Sequence, residues 1–130
     1  MINLILRDRL PFTEITITHN GNVLYIPNVL IDTGSMSTII STETASMLGL
    51  KPELDDKLHT ICGVGGAEYV YEKLVEFIEL DKSIISSIKI QVGAMDYGFE
   101  INAIIGMDYL RASGAVIDID NMTLSCRKRG

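Results

Sequence analysis

A chain of 130 residues with 47% hydrophobic content can bury a core of its own, and its length sets the expectation of a single domain over residues 1–130. Seventeen acidic against eleven basic residues give a net charge of −6, which argues against nucleic acid as a partner. No stretch reaches the roughly 20 apolar residues of a membrane span, and residues 1–12, interrupted by Asn3, Arg7, Asp8 and Arg9, have no signal-peptide layout; a cytoplasmic location without a membrane partner is the expectation.

In chain order, Ile15 and Ile17 alternate with Glu14, Thr16 and Thr18, the period of a half-buried strand. His19-Asn20-Gly21-Asn22 follows, and Asn-Gly between apolar runs signals a hairpin because both residues tolerate positive φ. Residues 23–26 are expected to return as a more fully buried strand, and Pro27 and Asn28 to break it. Val29-Leu30-Ile31 then ends in Asp32 and drops into Thr33, Gly34 and Ser35. A carboxylate at the end of a buried strand needs donors, because burying it without partners is costly. Gly34 lets the backbone turn with its N–H exposed, and Thr33 and Ser35 bring hydroxyls without bulk. By itself the tetrapeptide reads equally as a catalytic loop or as a helix N-cap.

Ser41 can cap a short helix over about residues 42–48, with Glu43 in its first turn and Gly49 at C′. Strand patterning resumes from Lys57 through Leu58 and Ile61, crosses the glycine-rich Cys62-Gly63-Val64-Gly65-Gly66, and continues over residues 68–73 and 74–80. Ile88, Ile90 and Val92 alternate with Lys89 and Gln91, giving another half-buried strand before a connection over residues 95–98. Ile104-Ile105-Gly106-Met107-Asp108-Tyr109-Leu110 is a second apolar-apolar-Gly element, in which Asp108 reads as the start of a short helix that Gly114 ends. Residues 116–119 and 122–125 read as strands around Asp120-Asn121. The sum is an all-β chain with one or two short helices.

Cys62 and Cys126 are too few for a disulfide framework and match no metal motif; the place of Cys62 beside the glycine-rich segment permits a redox-sensitive thiol, but an inert packed cysteine is the better reading. Asp118 and Asp120 lack the framework of a calcium loop and read as a polar Asx-type turn. His19 belongs to a turn, His59 lies near a strand start, and Arg127-Lys128-Arg129 reads as a solvated end. No metal and no cofactor are expected.

Three segments in order, Asp32-Thr33-Gly34, the glycine-rich 62–66 and Ile104-Ile105-Gly106, resemble the retropepsin-like aspartic protease family over about residues 13–124. The resemblance implies one lobe of an acid-protease barrel, closed or partly closed, and an aspartic endopeptidase acting on peptide or protein substrates. Because Asp-Thr-Gly occurs once, it also implies a two-fold homodimer in which Asp32 of each chain faces its mate. The two carboxylates would share one proton, a pattern general to aspartic proteases, and activate a water against the scissile carbonyl. Thr33 would lock the two loops across the dimer, Gly34 would keep the loop close, and Ser35 would support the outer carboxylate oxygen. Gly63, Val64, Gly65 and Gly66 match the flap, although a plain hairpin tip needs no substrate to explain its glycines. Ile104, Ile105 and Gly106 would lie beneath the catalytic loop.

The chain departs from the family pattern at Met107-Asp108-Tyr109, where viral relatives often carry an arginine or asparagine with a leucine. Viral enzymes also interleave terminal strands to hold the dimer, a role open here to residues 1–6 and 124–127. A cellular or bacterial type of member fits better than a viral one. The competing function is a dimerisation or peptide-binding module on the same fold with weak or lost catalysis.

Overall fold

The computed structural model describes residues 1–63, 66–96, 98 and 100–128, with 61–63 and 66–68 described by their backbone alone. Two short strands, β1 (Ile2–Asn3) and β2 (Ile5–Arg7), precede the long hairpin of β3 (Leu10–His19) and β4 (Asn22–Ile31). The hairpin turns at Asn20 and Gly21, both at positive φ (49° and 79°), as the Asn-Gly signal requires.

β4 does not break at Pro27 and Asn28. Ile15 pairs with Ile26 and Thr13 with Val29, so Glu14 alone stands opposite Pro27 and Asn28. This is a β-bulge: the extra residue absorbs the missing proline N–H, Asn28 takes φ 56°, and pairing resumes beyond it. Nor are residues 23–26 a more fully buried strand, since Val23 and Tyr25 are 69% and 57% exposed while Ile26 is buried. That half of the hairpin keeps one face to solvent. Beyond the bulge Val29, Leu30 and Ile31 are all buried, because two apolar clusters cover the two sides of the strand.

The next elements are β5 (Ile39–Ser41) and α1 (Thr42–Met47). Ser41 caps α1 by accepting from the Thr44 N–H. At the other end Leu50 N donates to Ala45 O and Gly49 N to Ser46 O, with Gly49 at φ 74°, a Schellman ending that needs glycine at C′. β6 (Leu58–Gly63) pairs with β7 (Gly66–Leu80), and β7 pairs with β8 (Ser83–Gly93). β7 is one 15-residue strand where the sequence shows two segments, and β8 starts five residues before its alternating pattern. Ser83–Leu80 pairing across the tight turn draws those residues into the ladder regardless of their irregular polarity.

β9 (Ala103–Ile105) inserts between β4 and β5, parallel to β4. The strand order β2-β3-β4-β9-β5-β8-β7-β6, with an added β3–β7 pairing, closes the sheet into a ring without making a regular barrel. α2 (Met107–Ser113) follows and ends at Gly114 (φ 62°). The terminal β10 (Ala115–Asp118) and β11 (Thr123–Cys126) make a separate sheet with β1, in the order β1-β11-β10. Ile119 falls in the turn, where Asp118 accepts from the Asn121 N–H and side-chain amide, the Asx-type turn expected there. Among the described residues no helix is long and apolar enough to cross a membrane.

Two contacts fasten the outer elements. Tyr109 of α2 is fully buried, and its hydroxyl donates towards Ile78 O (3.1 Å) and Ser83 O (2.9 Å), so the helix is pinned to the β7–β8 hairpin; burial pushes its phenol well above the ordinary value. Lys73 of β7, 9% exposed, holds Glu53 (2.6 Å) and Asp56 (2.9 Å) of the segment leading into β6. The bond from Lys73 keeps the Asp56 carboxyl below its usual value. Burial disfavours the Lys73 charge, and the two carboxylates outweigh it, leaving its pKa raised.

Tyr109→Phe leaves two buried carbonyls without that donor and is expected to cost about 1–2 kcal/mol by urea denaturation. The Asp56 contribution is fully present above its ordinary value of 3.8 and is lost as pH falls through the lower folded value. Asp56→Asn should therefore flatten the acid limb of stability against pH below about 4, with little change in the limb's shape at neutral pH.

Candidate active site

Asp32 is placed by a ladder rather than by its own loop. Val29, Leu30 and Ile31 pair with Ala103, Ile104 and Ile105, and the ladder runs one residue further as Asp32 N donates to Ile105 O (3.0 Å). The chain then turns sharply: Ser35 N donates to Asp32 O (3.2 Å) and Gly34 N to Asp32 Oδ1 (2.9 Å). The side-chain bond is the one an N-cap would make, yet no helix starts here, and α1 begins only at Thr42. Asp32 is left half-buried, with Thr33 and Gly34 exposed at the tip of the loop. A Cβ on Gly34 would sit 3.2 Å from Asp32 Oδ1, so the glycine lets its amide approach the carboxylate.

Ser35 is placed differently from the role that the resemblance implies. Its hydroxyl donates to Ser37 O (2.7 Å), so the donor that this chain puts on the carboxylate is the Gly34 N–H.

The loop is seated on the second apolar-apolar-Gly element. Ile105 lies in the main core and Ile104 in the smaller cluster with Phe12, Leu30, Ile39, Met95 and Ile101, so β9 is gripped on both sides beneath Asp32. A Cβ on Gly106 would lie 2.7 Å from the Ser37 carbonyl carbon and 2.8 Å from Ser35 O, which only glycine allows. Met107 N donates to Ser35 O (2.8 Å) and Asp108 N to Met36 O (3.2 Å). Asp108 stands in the first turn of α2, where the sequence placed it. Its carboxylate also accepts from Thr38 N (3.0 Å), Thr38 Oγ1 (2.8 Å) and Tyr109 N (2.7 Å). Both oxygens are thus occupied, and Asp108 is not a second acid for Asp32 within the chain. The Thr38 contact was beyond sequence reasoning, since 70 residues separate the partners and neither is unusual locally.

The glycine-rich segment joins β6 to β7, with Gly63 opposite Gly66; Val64 and Gly65 lie outside the described residues. The terminal strands pair within the chain: β11 has β1 on one edge and β10 on the other, so residues 124–126 have no free edge, while β1 and β2 of residues 1–6 lie at sheet edges. The reason is local, because the turn after β10 folds β11 back on it. Burial raises the thiol of Cys126, which lies half-buried. Among the described residues no group of three His, Cys, Asp or Glu side chains is placed to hold a metal.

A family model described as aspartyl protease matches residues 15–109, a span that contains Asp32, the glycine-rich segment and Gly106. No curated protein matches the chain. Among solved structures, a retropepsin-like aspartic protease from Rickettsia conorii is similar with a TM-score of 0.67 at 23% identity, covering 92% of this chain and 85% of the other. The EIAV protease complexed with the inhibitor HBY-793 is similar with a TM-score of 0.61 at 25% identity, covering 86% and 95%.

Gly106→Ala must push the Ser35–Ser37 backbone away, and overpacking of this kind costs about 1–3 kcal/mol. Denaturation in urea should show that loss.

Proposed function

This chain belongs to the aspartyl protease family, and from that premise we propose that it is an aspartic endopeptidase that works as a homodimer. Its substrates are peptides or proteins presented as extended segments. The observation that carries the reading is the setting of Asp32: a half-buried carboxylate at the end of a ladder, held on Oδ1 by the Gly34 N–H, with no donor to Oδ2 among the described residues. A rigid acid with one open oxygen suits proton transfer to and from a water.

The mechanism needs a second acid, and Asp108 does not supply it. A two-fold axis beside the loop would bring in Asp32 of a second copy. Two carboxylates that close cannot both ionise cheaply, so the pair would titrate as a unit and hold one proton. The ionised member would take a proton from the water while the protonated member polarises the scissile carbonyl, giving a tetrahedral intermediate without a covalent adduct. Thr33, exposed at the loop tip, is the residue for the contact between loops, and exposed Met36 (87%) lies on the same loop. Ser35 acts by holding the loop closed through Ser37, and Ile104, Ile105 and Gly106 form its seat. Gly63, Val64, Gly65 and Gly66 serve as the flap, with the substrate adding as a strand through main-chain bonds. Since β11 is enclosed by β1 and β10, the outer edges of those two strands are, among the described residues, the ladders of this sheet through which two copies can join. Residues 1–130 act as one unit, a cytoplasmic protein that needs no cofactor or metal.

Digestion of an unstructured peptide library from acidic to neutral pH, read by mass spectrometry, tests the reading. Cleavage by the wild type and none by Asp32→Asn is expected, with sedimentation showing a dimer for both. No cleavage from a dimeric wild type would favour the peptide-binding module, and a monomer at high concentration would sink the homodimer.

A further inference from the structure

The Asp32 loop has no regular secondary structure between residues 32 and 38, and its own two backbone-directed bonds at Asp32 do not anchor its far end. That end is closed by Thr38, which is fully buried just before β5. Thr38 N and Oγ1 both donate to the Asp108 carboxylate, at 3.0 and 2.8 Å, and Thr38 Oγ1 in turn accepts from Gly106 N at 3.3 Å. The Asp108 N–H returns to Met36 O. The Asp108 side chain therefore fixes residue 38, while the backbone N–H groups of Asp108 and Met107 fix residues 36 and 35. The helix that carries Asp108 is immobilised by Tyr109, the next residue, buried against Ile78 and Ser83.

We infer that Asp108 is a positioning residue for the reaction: through Thr38 it sets the place and rigidity of the loop that presents Asp32. Its contribution depends on accepting at both oxygens. An amide in its place must turn an NH2 group towards either the Thr38 N–H or the Thr38 and Tyr109 donors, leaving a donor against a donor. Thr38 is then left with the bonds from Gln91 N to its carbonyl and Gly106 N to its hydroxyl, and the loosened loop loses the geometry of Asp32 without losing the surfaces that hold a peptide. A displacement of about 1 Å at a catalytic group costs on the order of 100-fold in rate, so the loss should fall on kcat and spare KM.

The kinetic part rests on the protease reading above, so the test has two readouts, amide hydrogen exchange and peptide turnover. In Asp108→Ala and Asp108→Asn the amides of residues 34–38 should exchange at least tenfold faster, with the β7–β8 amides unchanged. On a peptide that the wild type cleaves, kcat should fall at least tenfold with KM within about twofold. Thr38→Val, which keeps the N–H and loses the hydroxyl, should show a smaller change in the same direction, and Thr38→Ser should restore wild-type behaviour. Unchanged exchange at residues 34–38 in both Asp108 variants overturns the inference whether or not the wild type cleaves peptides. So does exchange that rises equally throughout the core in Thr38→Val, or a loosened loop with unchanged kcat. A wild type without turnover defeats the protease reading alone, and the exchange result still decides whether Asp108 holds the loop.

Discussion

Everything at the site depends on the parallel pairing of β4 with β9. Those strands are far apart in sequence, and each supplies only three paired residues, yet the pairing puts the end of β4 beside the start of α2. The backbone of Asp32 is held by Ile105, and the residues that follow each strand are then forced into contact: the loop after Asp32 lies on Gly106, Met107 and Asp108. Short parallel pairings are weak in isolation. This one is secured because its side chains face two different apolar clusters, with Val29, Ile31, Ala103 and Ile105 on one side and Leu30 and Ile104 on the other.

The same arrangement explains why polar groups are tolerated so close to the core. Thr38, buried without exposure, has both its N–H and its hydroxyl satisfied by Asp108, and Tyr109 spends its hydroxyl on backbone carbonyls. A buried polar group that is bonded costs little, whereas the same group unpartnered costs a few kcal/mol. These bonds connect elements instead of closing turns within one. The loop, β5, α2 and the β7–β8 hairpin become one mechanical unit.

How much could be read in advance varied with the range of the interaction. The Asn20-Gly21 hairpin, the Ser41 cap and the Gly49 and Gly114 helix endings were legible, because each is decided by the conformational preference of one or two residues. Pro27 misled because a missing N–H breaks a ladder only when the partner strand cannot bulge, and here Glu14 stands opposite two residues. The exposure of Val23 and Tyr25 was likewise hidden, since an apolar run says nothing about whether anything covers its outer face. At the candidate site, Asp32, Gly34 and Gly106 stood out as residue types in a motif, whereas the partners of Ser35, Thr38 and Asp108 did not.

From the sequence alone came the all-β class with one or two short helices, the local turns and the ordered motifs that mark the family, because apolar period, turn chemistry and motif order are properties of neighbouring residues. The tetrapeptide alone left Asp32 between a helix cap and a strand end, and motif order favoured the loop at a strand end; only the tertiary structure shows what places it there. The local bond from Gly34 is the same in both cases, and what differs is β9, drawn alongside β4 from more than 70 residues away by the burial of its isoleucines.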